Sequence, residues 1–215
     1  MSSAAGAAPA VVVVDYGVGN LGSIVNMFRR IGVLAVASSE PDVIAAAPRL
    51  LLPGVGAFDH AMELLRKAEL EEPLGAFRAT GRPVLGICLG MQLLGSSSAE
   101  GEATGLGWHD ATTERLVADD AAGVRVPNMG WCDVDVNVRV DGAAPLFGGI
   151  DSPRFYFLHS YLVVGPAENE RARATHGSSA FTCAVSFENV HGVQFHPEKS
   201  HRYGMQLFRN FCDLG

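Results

Sequence analysis

The chain has 215 residues, of which 48% are hydrophobic and 18% are charged, so it has enough apolar material for one large core. A formal net charge of −7 argues against nucleic acid or an anionic membrane as a general partner. The four cysteines form no CxxC pair, which argues against a zinc site, a redox dithiol or a disulfide framework. No apolar run reaches the roughly 18 residues that a membrane span needs. We therefore expect a cytoplasmic protein that has reduced thiols and uses neither a metal ion nor another cofactor.

The first half of the chain alternates apolar runs with helical periodicity. Residues 1–10 are small and predict a disordered lead-in, so the folded domain is expected over residues 11–215. The apolar runs predict strands at 11–14, 34–37, 50–52 and 84–87, and apolar residues three and four positions apart predict helices at 21–31, 58–65 and 89–94. This β-α-β-α rhythm indicates a parallel sheet with helices on both faces.

The second half of the chain has a different pattern. Valines at every second position from Val134 to Val140 predict a half-exposed antiparallel strand. Further strands are predicted at 155–158, 161–164, 181–187 and 190–195, and a closing helix carries Tyr203, Leu207, Phe208 and Phe211. The sequence therefore predicts a single α/β domain with a mixed, mostly parallel central sheet flanked by helices, and with antiparallel strands in the second half.

Turns that contain glycine follow three of the predicted strands, around Gly19, Gly54 and Cys88. In open α/β sheets, ligands bind beyond the carboxyl ends of the strands. We expect these turns to lie at one edge of the sheet, and His196 reaches the same edge if the strand before it is parallel.

Cys88 stands between two glycines in the sequence Gly86-Ile87-Cys88-Leu89-Gly90, at a predicted strand-to-helix junction. A sharp turn of this kind raises a nucleophile above the sheet, and small flanking residues relieve crowding there. The start of the helix favours a thiolate, and the N–H of Leu89 is placed to stabilise an oxyanion. The alternative is a buried packing cysteine, which is common among free cysteines.

His196 and Glu198 supply the other two parts of a thiol-based acyl-transfer site. A cysteine nucleophile needs an imidazole that takes and returns a proton, and the imidazole needs an acceptor for its second nitrogen. The alternative is a turn with a solvated glutamate. Zinc deaminases also use H-x-E, but the P-C-x-x-C segment that they require does not follow here.

The other histidines compete with His196 for the role of base. His159 is expected to be structural or to form a wall of the site, and His191 lies in a strand-like run. The remaining histidines stand in polar segments and are expected to be solvated: His60, His109, His176 and His201.

Two more glycine-rich segments have alternative interpretations. The segment Pro53-Gly54-Val55-Gly56 offers a second oxyanion donor, because a peptide plane beside glycine reorients at little cost, or else it is an ordinary turn. Residues 15–20 superficially resemble a dinucleotide-binding turn but lack its third glycine, which argues against nucleotide binding.

Taken together, residues 86–94 and the segment His196-Pro197-Glu198 resemble the class I, or triad, glutamine amidotransferases. A finer resemblance is to one branch of that family, the glutaminase subunits of histidine biosynthesis. It rests on residues 15–21, 53–58, 127–131, 157–161 and 192–200. The resemblance thus covers nearly the whole chain, and the Gly19-Asn20 turn, the Met129-Gly130-Trp131 segment and Lys199 carry its finer part.

This resemblance implies a role for each catalytic position. Cys88 would attack the carboxamide of L-glutamine and form a thioester, His196 would transfer protons, and Glu198 would hold His196. The N–H groups of Val55 and Leu89 would form the oxyanion hole. The positions that resemble glutamine-binding residues are Gly56, Gln92, Ser160 and Tyr161.

The resemblance also implies a heterodimer in which a cyclase subunit with a (β/α)8 barrel receives the ammonia. That cyclase would form imidazole glycerol phosphate and an aminoimidazole carboxamide ribonucleotide. The positions that resemble interface residues are Asn20, Trp131, Tyr156 and Lys199. The chain departs from the family pattern at Asn128, where a histidine is usual, and at Cys132, where an asparagine is usual. Both departures concern coupling to the partner more than the triad.

Three alternatives stay open at the level of the sequence. The first is a glutaminase subunit that serves another biosynthetic pathway, against which residues 129–131 and 196–199 argue. The second is a non-catalytic regulatory subunit, against which the intact Cys88, His196 and Glu198 argue. The third is a thiol hydrolase that works without a partner.

Overall fold

The computed structural model describes residues 8–121, 123–136 and 145–215. In this part of the chain the strands are β1 Val11–Val14, β2 Ala35–Ser38, β3 Leu50–Gly54, β4 Val84–Cys88, β5 Ser97–Ser98, β6 Thr112–Arg115, β7 Asn128–Val136, β8 Arg154–His159, β9 Tyr161–Val164, β10 Glu170–His176, β11 Ser179–Phe187 and β12 Val190–Val193. The helices are α1 Leu21–Arg30, α2 Pro41–Ala46, α3 Phe58–Lys67, α4 Glu71–Arg78, α5 Leu89–Leu93 and α6 His201–Asp213, with single 3-10 turns at Pro145–Phe147, Ala167–Asn169 and Pro197–Lys199. Most of the predicted lead-in, together with Val138 and Val140, lies outside the described residues.

The large sheet is mixed, as the sequence predicts. Its described strands have the order β2-β1-β3-β4-β12-β11-β10-β7-β8. The first five strands of that order run parallel to one another, and every pairing from β12 to β8 is antiparallel. The strand that precedes His196 is therefore parallel to β4, and both strands end at the same edge of the sheet.

Helices cover both faces of the parallel part of the sheet. In β1, Val11 and Val13 pack into a core with α1 and α6, where the Phe28 and Phe208 rings stack at 4.4 Å. Val12 belongs to the core on the opposite face, with α3, α4 and α5. Because both faces of the strand are buried, β1 reads as a continuous apolar run without alternation. Within the described ranges no helix is long and apolar enough to cross a membrane.

Some elements have no clear signal in the sequence. The small sheet β5-β6-β9 was not expected, although the strand at 161–164 was. Strand β10 is rich in charged residues and buries only Ala172 and Ala174, so its pairing with β7 and β11 determines its conformation. Helix α4 contains a proline and a glycine, which obscure its periodicity, and α2 is only six residues long. The strand predicted at 190–195 ends at Val193.

The end of β3 and the start of α5 approach each other very closely. A Cβ atom at Gly90 would overlap the carbonyl group of Leu52, and a Cβ atom at Gly54 would lie 2.8 Å from the Cβ of Leu89. Only glycine permits this approach at either position. The approach brings the turn after β3 against Cys88, since Gly54 lies opposite Cys88 in the sheet register.

We predict that Gly90→Ala lowers the free energy of unfolding by about 1–3 kcal/mol or more, because the added methyl group forces the two backbones apart. Gly75→Ala in α4 is the matched control, since a Cβ atom at Gly75 meets nothing within 4 Å. That control should be neutral or stabilising by about 0.5–1 kcal/mol. Chemical denaturation of both variants checks this, and equal stabilities would contradict the close approach.

Candidate active site

Cys88 adopts a backbone conformation that is rare for a residue other than glycine. Its φ of 55° and ψ of −112° turn the chain sharply between the last residue of β4 and the first residue of α5. Such a conformation costs about 1–3 kcal/mol and persists only where surrounding packing enforces it. Gly86 and Gly90 provide that packing, because a side chain at either position would collide with neighbouring backbone. The turn has the form expected of a nucleophile elbow.

The sheet brings His196 and Glu198 to Cys88. Val193 lies opposite Ile87 in the pairing of β12 with β4, so both strands deliver the next few residues to the same place. The His196 Nδ1 atom lies 2.9 Å from Glu198 Oε1, and both side chains are at most 3% exposed. With Nδ1 occupied by the carboxylate, Nε2 is left for the hydrogen bond between His196 and Cys88. The three predicted residues thus form one connected group.

The surroundings favour a charged His196. Burial alone would lower the pKa of its imidazole. The hydrogen bonds to Cys88 and Glu198, and the negative charges of those two groups, outweigh the burial and raise the pKa of His196 above its usual value. The geometry therefore suits an imidazolium at His196, between the Cys88 sulfur and the Glu198 carboxylate.

A cavity of about 300 Å³ opens beside the triad. It gathers every predicted oxyanion-hole and glutamine-binding position, and it is lined by Val55, Gly56, Cys88, Leu89, Gln92, Glu100, Pro127, Leu158, His159, Ser160, Tyr161, His196 and Lys199. A larger cleft of about 940 Å³ lies between α2 and α4, and no triad residue lines it. The smaller cavity is the candidate active site because it combines concavity with the reactive groups.

Gln92 is held at the wall of this cavity by two hydrogen bonds. Its Nε2 atom donates to the carbonyl oxygen of Tyr161 at 3.2 Å and to Gln194 Oε1 at 3.1 Å. Both N–H donors of the carboxamide are thereby used. What remains to contact a bound molecule is the carbonyl oxygen, which accepts hydrogen bonds from amide or ammonium groups.

His159 lines the same cavity, but its two ring nitrogens already have partners. Nδ1 lies 2.8 Å from the carbonyl oxygen of Tyr161, and Nε2 lies 3.0 Å from Asn128 Nδ2. These partners require a neutral ring with its proton on Nδ1. Burial lowers the pKa of His159 to about 4, in agreement with that tautomer. His159 is thus a wall of the site, and His196 is the better candidate for the base.

One prediction about the remaining histidines was wrong. His109 was expected to be solvated, but it is 5% exposed, and its Nε2 atom is buried without a hydrogen-bond partner among the described residues. The segment that contains it binds the end of α5, where the N–H of Trp108 donates to the Leu94 carbonyl at 2.8 Å. This tertiary contact carries His109 into the interior together with the adjacent buried Trp108.

The end of β3, directly before the turn that contains Val55, is anchored by Tyr16. The Tyr16 hydroxyl donates to the carbonyl oxygen of Pro53 at 2.6 Å. Burial and the nearby Cys88 raise the pKa of Tyr16, so the phenol keeps its proton and remains a donor. Gly56 has a φ of +99°, a conformation that strains any residue with a side chain. Val55 lies between these two fixed points and reaches the cavity.

Comparisons with known proteins show the family to which the chain belongs. The chain matches the family model for glutamine amidotransferase class-I over residues 12–214. It belongs to the class I glutamine amidotransferase family. It is 45% identical over 206 residues to imidazole glycerol phosphate synthase subunit HisH 2 of Pseudomonas aeruginosa, covering 95% of this chain and 99% of that relative. It is 42% identical over 202 residues to the subunit of the same name from Methanococcus maripaludis, covering 94% and 98%.

Solved structures confirm the predicted fold class. A crystal structure of a glutamine amidotransferase has a TM-score of 0.72 at 22% identity, covering 94% of this chain and 97% of that chain. The structure of PurLQS from Thermotoga maritima has a TM-score of 0.68 at 18% identity, covering 95% and 98%. At these identities the likeness concerns the fold alone.

Three of the predicted interface residues form a group at the surface next to the cavity. The Trp131 ring stacks on the His201 ring, with 5.6 Å between the ring centroids, and meets the Tyr156 ring edge-on, with 6.2 Å between centroids. The Nζ atom of Lys199 lies 5.7 Å from the centroid of the Tyr156 ring. The apolar side chains of Met129 on β7 and Leu158 on the paired strand β8 are also exposed. An exposed apolar patch with a polar edge is typical of a surface that binds another protein. The fourth predicted residue, Asn20, lies exposed at the start of α1.

The same surface is bonded directly to the backbone of the base. The N–H of His196 donates to the carbonyl oxygen of Tyr156 at 2.8 Å, and the N–H of Tyr156 donates to Ser200 Oγ at 2.9 Å. Ser200 Oγ in turn donates to the carbonyl oxygen of His196 at 2.6 Å. A displacement of Tyr156 would therefore be transmitted to His196.

Asn128 and Cys132, where the sequence analysis expects departures from the family pattern, contact each other. Asn128 is 1% exposed, and its Oδ1 atom accepts a hydrogen bond from Cys132 Sγ at 3.8 Å. Its Nδ2 atom faces His159, as described above. Burial raises the pKa of the Cys132 thiol. In the described part of the chain all cysteines are free, and no group of His, Cys, Asp and Glu residues is arranged to hold a metal ion.

Sequence reasoning missed two polar residues of the site, Glu100 and Gln194. Glu100 lines the cavity, and its Oε2 atom accepts a hydrogen bond from the N–H of Phe58 at 2.8 Å. It follows β5, which had no sequence signal. Gln194 is completely buried, with its Nε2 atom 3.8 Å from Cys88 Sγ. An uncharged polar residue at the end of an apolar run, two positions before His196, was a signal that could have identified it.

We predict that Glu198→Gln lowers kcat by about 10²- to 10⁴-fold, since the amide neither stabilises the imidazolium nor selects the correct tautomer. Loss of the carboxylate also lowers the pKa of His196, so the ring loses its proton at a lower pH than in the wild type. Steady-state kinetics and an NMR titration of His196 check both parts. An unchanged His196 titration would contradict the pairing.

Proposed function

We propose that this chain is the glutaminase subunit of an imidazole glycerol phosphate synthase. It would hydrolyse L-glutamine to glutamate and ammonia and pass the ammonia to a cyclase subunit. The observation that carries the proposal is the connected group of Cys88, His196 and Glu198 beside a cavity that fits a small ligand. Relatives at 40–45% identity, matched over nearly their full length, are named as subunits of that synthase and support this reading.

The chemistry follows from the arrangement of the three residues. The Cys88 thiolate attacks the side-chain carbonyl carbon of glutamine, and the C–N bond breaks as the His196 imidazolium gives its proton to the departing ammonia. The product is a γ-glutamyl thioester. Neutral His196 then takes a proton from water, which attacks the thioester and releases glutamate and the thiolate. Glu198 stabilises the charged form of His196 at each stage.

The walls of the cavity would bind the substrate. The N–H groups of Val55 and Leu89 would stabilise the oxyanion that develops on the attacked carbonyl. The carbonyl oxygen of Gln92 and the carboxylate of Glu100 would accept hydrogen bonds from the amino and amide groups of glutamine. The backbone of Gly56, Ser160 and Tyr161 would fix its position.

The partner that we propose is a cyclase with a (β/α)8 barrel, in a heterodimer that works in the cytoplasm. The surface of Trp131, Tyr156 and Lys199 is the proposed contact, with Asn20 as a further member. Its apolar and aromatic character and its hydrogen bonds to the backbone of His196 support this assignment. They also provide a route by which the partner would stimulate the glutaminase.

The direct test is glutamate release from glutamine by the purified chain, alone and with a cyclase subunit and its nucleotide ligand. We expect weak activity alone and a large stimulation in the complex. Strong activity without the partner would favour an independent hydrolase. Activity in neither case would favour another synthase partner or a non-catalytic subunit.

We predict that Cys88→Ala abolishes glutamine-dependent synthesis by the complex, because no other group supplies the nucleophile. Synthesis from added ammonia should continue, since the cyclase does not need the thiol. Both rates are measured on the same preparation. If the glutamine-dependent and ammonia-dependent rates fell together, the proposed separation of the two activities would be wrong.

We predict that Lys199→Ala reduces stimulation by the cyclase about tenfold, equivalent to ~1.4 kcal/mol, with little change in the thermal midpoint. The reason is the exposed position of Lys199 beside Tyr156. Lys67→Ala, at the exposed end of α3, is the matched control and should behave as the wild type. Titration of the glutaminase rate with cyclase checks this, and normal stimulation of Lys199→Ala would remove Lys199 from the contact.

A further inference from the structure

The orientation of the Gln194 carboxamide follows from its neighbours. A backbone carbonyl can only accept a hydrogen bond, so the atom of Gln92 that faces the carbonyl of Tyr161 must be its nitrogen. The same nitrogen faces Gln194, which therefore presents its oxygen to Gln92. The nitrogen of Gln194 is left on the opposite side, 3.8 Å from Cys88 Sγ.

Gln194 is rigidly held and excluded from water. Its side chain is completely buried, and its backbone N–H donates to the carbonyl oxygen of Cys183 on β11 at 2.9 Å. A buried amide that cannot turn over presents a fixed donor to the sulfur atom. In a buried site from which water is excluded, a hydrogen bond to a charged acceptor is stronger than in water.

The two protonation states of Cys88 use different neighbours. The thiol donates to the carbonyl oxygen of Leu158, with the sulfur 3.7 Å from that oxygen. A thiolate has no proton for this carbonyl and only accepts hydrogen bonds. The donors that the structure provides are the imidazole of His196 and the carboxamide of Gln194. Tyr16, from the turn after β1, is a further ionisable group that interacts with Cys88, and it remains protonated.

We propose that Gln194 is a positioning residue that stabilises the Cys88 thiolate, and that Gln92 and the Tyr161 carbonyl fix its orientation. This inference rests on the proposed function, in which the thiolate is the nucleophile. Gln194 needs no contact with the substrate for this role. It stabilises the thiolate by a hydrogen bond before glutamine binds.

The test measures alkylation of Cys88 by iodoacetamide as a function of pH, without glutamine, with the Cys88 peptide followed by mass spectrometry. Gln194→Met keeps the length of the side chain but removes the donor, so the apparent pKa of Cys88 alkylation should rise by about one unit. Gln194→Glu places a carboxylate opposite the sulfur, and the rise should be larger. In both variants kcat for glutamine should fall in parallel with the alkylation rate at neutral pH.

Ser186→Ala is the matched control. Ser186 is also buried on the neighbouring strand, where its Oγ atom lies 2.8 Å from His191 Nδ1, away from Cys88. It should keep the wild-type alkylation profile even if its thermal midpoint falls. If one Gln194 variant fails to fold, the other still carries the test.

The outcomes separate this inference from the proposed function. If both Gln194 variants titrate as the wild type does, or if Ser186→Ala shifts as much as they do, Gln194 has only a structural role. If alkylation of Cys88 in the wild type leaves the glutaminase activity of the complex intact, the proposed function itself is wrong. A shift confined to the Gln194 variants supports the inference.

Discussion

The site depends on the parallel pairing of β4 with β12, two strands that lie far apart in the chain and side by side in the sheet. One strand ends at Cys88, and the other runs on to His196 within three residues of its end. Because both strands end at the same edge of the sheet, the Cys88 sulfur and the His196 imidazole come together without a long connecting loop. The turn at Pro197 then returns Glu198 to the far nitrogen of the same ring.

Close packing turns this adjacency into a defined geometry. The glycines around Cys88 allow the backbones of β3 and α5 to touch, and that contact holds Cys88 in a strained conformation. On the other side of the cavity, the hydrogen bonds among Tyr156, His196 and Ser200 hold the base. The nucleophile is thus positioned by the core of the domain, whereas the base is connected to its surface. This difference suits an enzyme whose activity responds to a partner.

Burial sets the electrostatics of the site. Charged groups are each unfavourable in a buried interior, yet an imidazolium at His196 attracts negative charge on both Glu198 and Cys88 there, because the attraction is less screened than in water. The raised pKa of His196 is the outcome of that balance. His159 is also buried, but its hydrogen-bond partners are neutral and the nearest charges are those of other histidines, so its pKa is lowered instead. The charges of the neighbours, and not burial alone, distinguish the candidate base from the wall of the cavity.

Much of this arrangement could be predicted from the sequence, for identifiable reasons. Strands such as β1 and β4 are continuous apolar runs because both their faces are buried, and Cys88 lies between glycines because the turn requires small neighbours. The features that were missed depend on tertiary contacts. Strand β10 is formed by its neighbours, His109 is carried inward by the end of α5, and Gln194 faces Cys88 only because Gln92 and Tyr161 orient it. A single sequence does not show such contacts, and for Gln194 its only local signal is a polar residue at the end of an apolar run.

The central claim is that Cys88 becomes covalently bonded to the substrate. The most direct measurement is rapid acid quenching of the complex during turnover with glutamine, followed by mass spectrometry of the intact chain and of its peptides. We expect a γ-glutamyl adduct on the peptide that contains Cys88, formed before glutamate is released and absent in Cys88→Ala. An adduct on another residue would contradict this expectation. Steady glutamate release by a variant that lacks Cys88 would also contradict it.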